Sequence, residues 1–120
     1  MTDQLDSQTT LEDLRKLVQK FVEERNWTPF HTPKSLAIAI SLEAAELLEH
    51  FLFRKEETLS PIPGKMETFT EEMADIFIYL LSLANTLDLS DFSKIVYQKM
   101  EKNRQKYPID RFSGENYRKQ

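Results

Sequence analysis

The sequence predicts an all-α fold, an antiparallel bundle of about four to five helices. Three observations predict it. Apolar residues recur at helical spacing through four separate stretches of the chain. Prolines and glycines fall between those stretches or at their edges. Two of the stretches, Leu36 to Phe53 and Met66 to Leu87, are apolar nearly all round, as suits helices in the middle of a bundle. At 120 residues the chain is one domain, large enough for a single core but modest in the surface it buries alone.

Composition narrows the function classes. Lys and Arg number 16 against 20 Asp and Glu, and the net charge of −4 disfavours a general nucleic-acid binder. The acidity suits metal ligation and equally suits a solubilising surface. With no Cys, the chain needs no oxidising compartment and has no thiolate with which to build a metal site. The opening MTDQLDSQTT is polar and acidic, unlike a signal or transit peptide, and no apolar run approaches membrane-spanning length. The expectation is a soluble, cytoplasmic protein with neither a membrane nor a nucleic-acid polymer as partner.

Taken in order, residues 1–8 are polar and expected to be flexible. Thr9-x-x-Glu12 reads as a capping box, after which Leu11, Leu14, Leu17, Val18, Phe21 and Val22 form an apolar stripe to about Glu24. RNWTPFHTPKS then breaks the periodicity with two prolines and gathers Trp27, Phe30 and His31 in five residues. Such a loop is either a hydrophobic plug between helices or a place where rings stack on a nucleobase and a histidine bonds to a base edge or sugar hydroxyl. Thr32 and Pro33 suit the N-cap and first position of the next helix.

On that helix, helical spacing puts Glu43 and Glu46 on one face with Leu36, Ala39 and Leu47. Carboxylates among apolar neighbours are costly unless a cation meets them, and no basic residue shares the stripe. Glu49 has drifted off that face and reads as a solvated acid. His50 returns to it, either as a ligand or orienter, or as a partly buried histidine bonded to a carboxylate. Residues 54–65 are charged, then broken by Pro and Gly, and mark a surface connection. The helix from Met66 to Leu87 repeats the acidic pattern, with Glu72, Asp75, Ile76, Tyr79 and Leu83 on one face. If the two helices face each other, four carboxylates converge, and with no Cys and little His they call for Mg2+ or Mn2+ more than for zinc. A last helix restarts with Ser90 as N-cap and Phe92, Ile95 and Val96 as its buried face; Lys99, Asn103 and Lys106 fall on or near that face, and Pro108 stops it.

Glu43-x-x-Glu46 followed by Glu72-x-x-Asp75 resembles the metal-binding signature of the MazG-like all-α nucleoside triphosphate pyrophosphohydrolases. The blocks FHTPKSLAIAISLEAAELLEHF, EEMADIFIYLLSLA and KMEKNRQKYP, in that order, more narrowly resemble the branch that includes the dCTP pyrophosphatases. This resemblance runs from about Trp27 to Tyr107. It implies a helical pyrophosphohydrolase domain over residues 9–107 and a C-terminal tail, 108–120, that folds over the active site or a neighbouring subunit. The implied reaction is Mg2+-dependent hydrolysis of a nucleoside triphosphate, dCTP or a modified deoxycytidine triphosphate, to monophosphate and pyrophosphate, as nucleotide-pool sanitation. Glu43, Glu46, Glu72 and Asp75 would hold the metal, with one glutamate taking the water's proton. By the same resemblance His31 contacts base or sugar, with Trp27 beside it, and Tyr79 lines the pocket. Lys99 becomes a phosphate contact, and Asn103 a metal or phosphate contact. Phe53 stands where relatives often carry a Trp that lines the base pocket; the ring is kept, and base selectivity is left open.

Other classes fit less well. No GxxxxGK[ST] phosphate loop is present. A di-iron bundle wants Glu-x-x-His on two helices, yet the positions three beyond Glu43, Glu46 and Glu72 are Glu46, Glu49 and Asp75. A non-catalytic helical interaction module explains the amphipathic helices but not the inward polar groups. A dUTPase-like or broad-specificity activity is the rival within the enzyme class. The all-round apolar helices predict a homo-oligomer, and the resemblance implies a dimer or a dimer of dimers with a pocket partly shared between subunits.

Overall fold

Helix α1 (Leu11–Glu24) starts with a capping box one residue later than the sequence suggested. Thr10 accepts from the Asp13 backbone N–H through its hydroxyl, and Asp13 accepts from the Thr10 N–H through its carboxylate, both at 3.0 Å. Two consecutive threonines offered two frames. The later one leaves Glu12 inside the first turn, where it pairs with Lys16 at 3.3 Å. At its other end α1 stops in a Schellman arrangement: Asn26 turns left-handed (φ 55), its N–H bonds the Glu23 carbonyl, and the Trp27 N–H bonds Val22. That closure fixes where Trp27 begins.

The computed structural model describes residues 4–52 and 64–116, so Phe53 and the connection up to residue 63 lie outside the described residues. Beyond α1 the elements are α2 (Pro33–Glu49), α3 (Lys65–Thr86), α4 (Phe92–Lys106) and the single turn α5 (Ile109–Phe112). Short 3-10 turns occupy Asp6–Gln8, Thr28–Phe30 and Gly114–Asn116, and no strand occurs among the described residues. The all-α expectation is met, with five helices among the described residues. Thr32 caps α2 as expected, its hydroxyl accepting from the Ser35 N–H. The helical pattern expected to reach Phe53 instead tightens after Glu49, where the Phe51 and Leu52 N–H groups bond three residues back to Leu48 and Glu49. Among the described residues no helix is long and apolar enough to cross a membrane.

The chain divides into two compact units, Met1–Leu89 and Ser90–Gln120. In the first, α3 is the central helix and both α1 and α2 pack on it. Val18 and Val22 of α1 bury against Leu81 of α3, with Leu11 and Leu14 alongside. Arg15 and Asn85 tie the same helices reciprocally: Arg15 Nε–H donates to Asn85 Oδ1, and Asn85 Nδ2–H donates to the Arg15 carbonyl, each at 3.0 Å. Helices α2 and α3 run antiparallel, since His31 just before α2 meets Ser82 and Thr86 late in α3, while His50 just after α2 meets Glu72 early in α3. A second Schellman closure ends α3, with Asp88 left-handed and the Leu89 N–H on the Ala84 carbonyl.

The second unit departs from expectation in two respects. Asp91, not Ser90, is the N-cap of α4, in a left-handed conformation (φ 52) and without a side-chain cap. Nor does α4 have a buried face: Phe92 is half-buried, while Ile95 and Val96 are exposed. The physical reason is that, among the described residues, its own unit offers the one-turn α5 and a 3-10 turn, too little surface to cover a helix of fifteen residues.

Because Asn85 makes both bonds of its pair with Arg15 at a half-buried position, Asn85→Ala leaves a guanidinium and a carbonyl without their partner. We expect it to cost about 1–3 kcal/mol of stability, read as a lower urea midpoint at unchanged slope.

Candidate functional site

The packing of α2 on α3 brings the four acids picked out in the sequence into one electrostatic neighbourhood. Glu43 and Glu72 are half-buried, whereas Glu46 and Asp75 are exposed. The carboxyl of Glu43 is pushed above the usual carboxylate range, first by burial, then by the charges of Glu46 and Asp75, a hydrogen bond with Glu46, and the charge of Glu72. One of its oxygens, Oε2, is screened from solvent and has no hydrogen-bond partner among the described residues. A buried carboxylate oxygen left in that state requires either a proton or a cation. Hard oxygen donors from two helices, two of them open to water, suit Mg2+ or Mn2+. Among the described residues no three acidic or histidine side chains are gathered around one point at ligand distances. Instead one oxygen of Glu72 is engaged by His50.

His50 is buried, and its Nε2 lies 2.5 Å from Glu72 Oε2. Its ring meets the edge of Phe69 at 5.4 Å between centroids, and Phe69 in turn meets Phe51 at 5.8 Å. The structure shows a buried histidine bonded to a carboxylate, a bond that the orienter's role equally requires. Phe69 packs edge-on against the ring, which in turn holds the direction of the Glu72 side chain.

The aromatic loop is assembled at the other end of the α2/α3 pair. Trp27 stacks on His31 with ring centroids 6.2 Å apart and planes 23° from parallel, and Phe21 meets the opposite partner, Trp27, edge-on at 5.6 Å. His31 Nδ1 lies 2.8 Å from the hydroxyl of Ser82, and the Thr86 hydroxyl donates to the His31 carbonyl at 3.0 Å. Trp27 remains 42% exposed, so this is no sealed plug; the ring is supported from below and open to solvent. Tyr79 is half-buried on α3, between Asp75 and Ser82.

Ser82 and Thr86 were not picked out in the sequence. A signal existed: Glu72, Asp75, Tyr79, Ser82 and Thr86 follow one another at three- and four-residue steps, a single stripe of polar groups along an otherwise apolar helix. Lys99, exposed, and Asn103, half-buried, lie on α4 in the second compact unit. Phe53 falls outside the described residues.

The raised Glu43 value has a signed consequence. Its folded pKa stands above the ordinary 4.5, so the folded chain holds a proton that the unfolded chain releases, and stability falls as pH rises from the ordinary carboxylate range through the raised value. Glu43→Gln, which keeps the shape without the charge, is therefore expected to raise the melting temperature of chelator-treated protein at pH 7. The gain should disappear at a pH below the ordinary carboxylate range, and a thermal melt at both pH values checks it.

Comparison with known proteins accords with the all-helical fold. The MazG-like family profile matches residues 38–119. The chain is 39% identical over 106 residues to dCTP pyrophosphatase 1 of Bos taurus and 36% identical over 113 residues to that of Homo sapiens, covering 86% and 90% of this chain. It spans 62% and 66% of those relatives' lengths. A crystal structure of a pyrophosphatase from Archaeoglobus fulgidus superimposes with a TM-score of 0.69 at 38% identity, over 82% of this chain and 92% of that one. With the profile covering its acidic helices and the same fold seen in a relative, this chain belongs to the MazG-like family.

Proposed function

We propose that the protein hydrolyses a nucleoside triphosphate to the monophosphate and pyrophosphate, with dCTP or a modified deoxycytidine triphosphate as the preferred substrate, in the cytoplasmic nucleotide pool. The single observation that supports this most directly is the buried oxygen of Glu43, without a hydrogen-bond partner among the described residues and in the field of Glu46, Asp75 and Glu72. Those four carboxylates would hold Mg2+, with Mn2+ as a substitute. When bound, the ion supplies neutralisation of phosphate oxygens and a lowered pKa for a coordinated water.

The chain's own groups do the rest. One of the glutamates accepts the proton of the attacking water as the bond between the α- and β-phosphates breaks and pyrophosphate leaves. His50 keeps Glu72 aimed at the cluster by the bond between Nε2 and Oε2. His31 and Trp27, stacked on each other, face the nucleoside together with Tyr79; Phe53 lies outside the described residues and is proposed as a base contact from its place in the sequence alone. Lys99 and Asn103 bind the polyphosphate. Positioning and charge neutralisation dominate such a reaction, which needs little covalent chemistry from the protein. The bovine and human relatives are named as dCTP pyrophosphatases, which favours deoxycytidine. Phenylalanine at position 53 favours keeping a dUTPase-like or broader specificity as the second reading.

The direct test is a panel of ribo- and deoxyribonucleoside triphosphates, with Mg2+ and with chelator, for wild type and Glu43→Gln. Monophosphate and pyrophosphate should appear in equal amounts, a deoxycytidine nucleotide should lead, and chelator should abolish turnover. Glu43→Gln should remain folded and lose at least about a hundredfold in kcat. A Glu43→Gln enzyme as active as wild type would remove the acidic cluster from the mechanism; equal turnover of pyrimidine substrates would favour the broader reading.

We propose further that the active form is a homo-oligomer, a dimer or dimer of dimers. Ile38, Leu42 and Leu48 on α2 and Phe77, Ile78 and Leu80 on α3 are all at least 40% exposed in the single chain. Apolar area on that scale is seldom left to water. Light scattering at micromolar concentration should give two or four times the chain mass, and the mass of one chain would contradict the assembly.

A further inference from the structure

The pairing of Ser82 with His31 carries a consequence beyond holding a ring in place. Ser82 is buried, 3% exposed, and its hydroxyl has one described partner, His31 Nδ1 at 2.8 Å. Either group can donate in such a pair. If Nδ1–H donated to the serine oxygen, the serine's own proton would be left without an acceptor in a buried position, which costs more than the bond gains. If the hydroxyl donates to Nδ1, every polar atom of the pair is satisfied. The neutral ring then carries its proton on Nε2, and that nitrogen has no partner among the described residues.

The rest of the surroundings favours a ring held in one orientation. The Thr86 hydroxyl holds the His31 carbonyl at 3.0 Å, and the Trp27 ring lies 23° from parallel over the imidazole. Ser82 and Thr86 sit one turn apart on α3, so side chain and main chain of His31 are both gripped by the same helix. Trp27 closes the third side.

We propose that Ser82 is a positioning residue that fixes His31 as the Nε2–H tautomer, so that the site takes its nucleoside through a hydrogen-bond acceptor on the base or sugar and not through an exocyclic amine. This rests on the reading of His31 as a nucleoside contact. An Nε2–H donor matches a pyrimidine carbonyl, a ring nitrogen lone pair or a sugar oxygen; it cannot accept from an amino group. By this contact alone, cytosine and uracil nucleotides are accepted equally through their shared carbonyl. Discrimination between them falls to other residues.

The test is ring nitrogen NMR of histidine-labelled full-length protein. The chain has two histidines, and His31→Ala assigns the His31 signals by their loss. In wild type, Nδ1 should resonate as an unprotonated and Nε2 as a protonated nitrogen. In Ser82→Ala the His31 signals should move toward the averaged values of a freely exchanging ring, with KM for the preferred nucleotide rising about fivefold and kcat held within about twofold. A wild-type ring protonated on Nδ1, or ring signals unmoved in Ser82→Ala, overturns the tautomer assignment. Altered ring signals with an unchanged KM overturn the role in recognition. Absence of triphosphate hydrolysis by wild type would instead remove the proposed function and leave the spectroscopic result standing.

Discussion

The register of α2 against α3 is the constraint on which the functional side chains depend. Two hydrogen bonds set near opposite ends of α2 pin it: His31 to Ser82 at one end and His50 to Glu72 at the other. Each net bond is worth only about 0.5–1.5 kcal/mol, less than the burial of one leucine. Their effect is specification more than stability. A slip of a single residue moves one helix about 1.5 Å along the other and rotates its face by about 100°, which would leave a buried serine and a buried histidine without partners. The correct register is thus selected by what the wrong ones leave unpaired. The acids inherit that selection, because Glu43 and Glu46 lie between the two pins on α2 while Glu72 is itself one of the contacts on α3.

What the register assembles is unfavourable for the bare chain. Burial raises the proton affinity of Glu43, and the charges of Glu46, Asp75 and Glu72 add to it. Sequences that optimise stability alone would replace Glu43 with a leucine, as the apolar neighbours on its stripe invite. Retaining the acid at a half-buried position sacrifices folding free energy, the usual direction of conflict between stability and the site that the acids are proposed to form. The two open acids, Glu46 and Asp75, lessen the conflict by leaving much of the charge in water.

The helices, their order and the acidic stripe were legible because each is a repeating signal of apolar spacing. Boundaries were less so. Thr9 and Thr10 present the same cap chemistry in adjacent frames, and only the reach of Asp13 decides for Thr10. At α4 serine and aspartate are equally good caps by residue type, and Asp91 takes the position in a left-handed conformation that aspartate adopts more readily than serine, without a side-chain cap. The pocket residues divide similarly. His31 and Trp27 stood out as aromatic and titratable groups in a broken segment, whereas Ser82 and Thr86 hid in the apolar α3, where small hydroxyl residues ordinarily bond their own helix backbone. Their significance is tertiary and depends on a histidine some fifty residues earlier.

The same distinction explains α4. Its stripe through Phe92, Ile95, Val96, Lys99 and Asn103 reads as a buried face in sequence, and the periodicity is sound. Yet Ile95, Val96 and Lys99 are exposed, because periodicity specifies which residues share a face and says nothing about what covers it. The apolar half of the stripe and the polar half are collinear on one rigid helix. Any surface that buries Ile95 and Val96 therefore sets the direction of Lys99 and Asn103 as well, about one and two turns further on. The hydrophobic and polar halves of the stripe are therefore placed together or not at all.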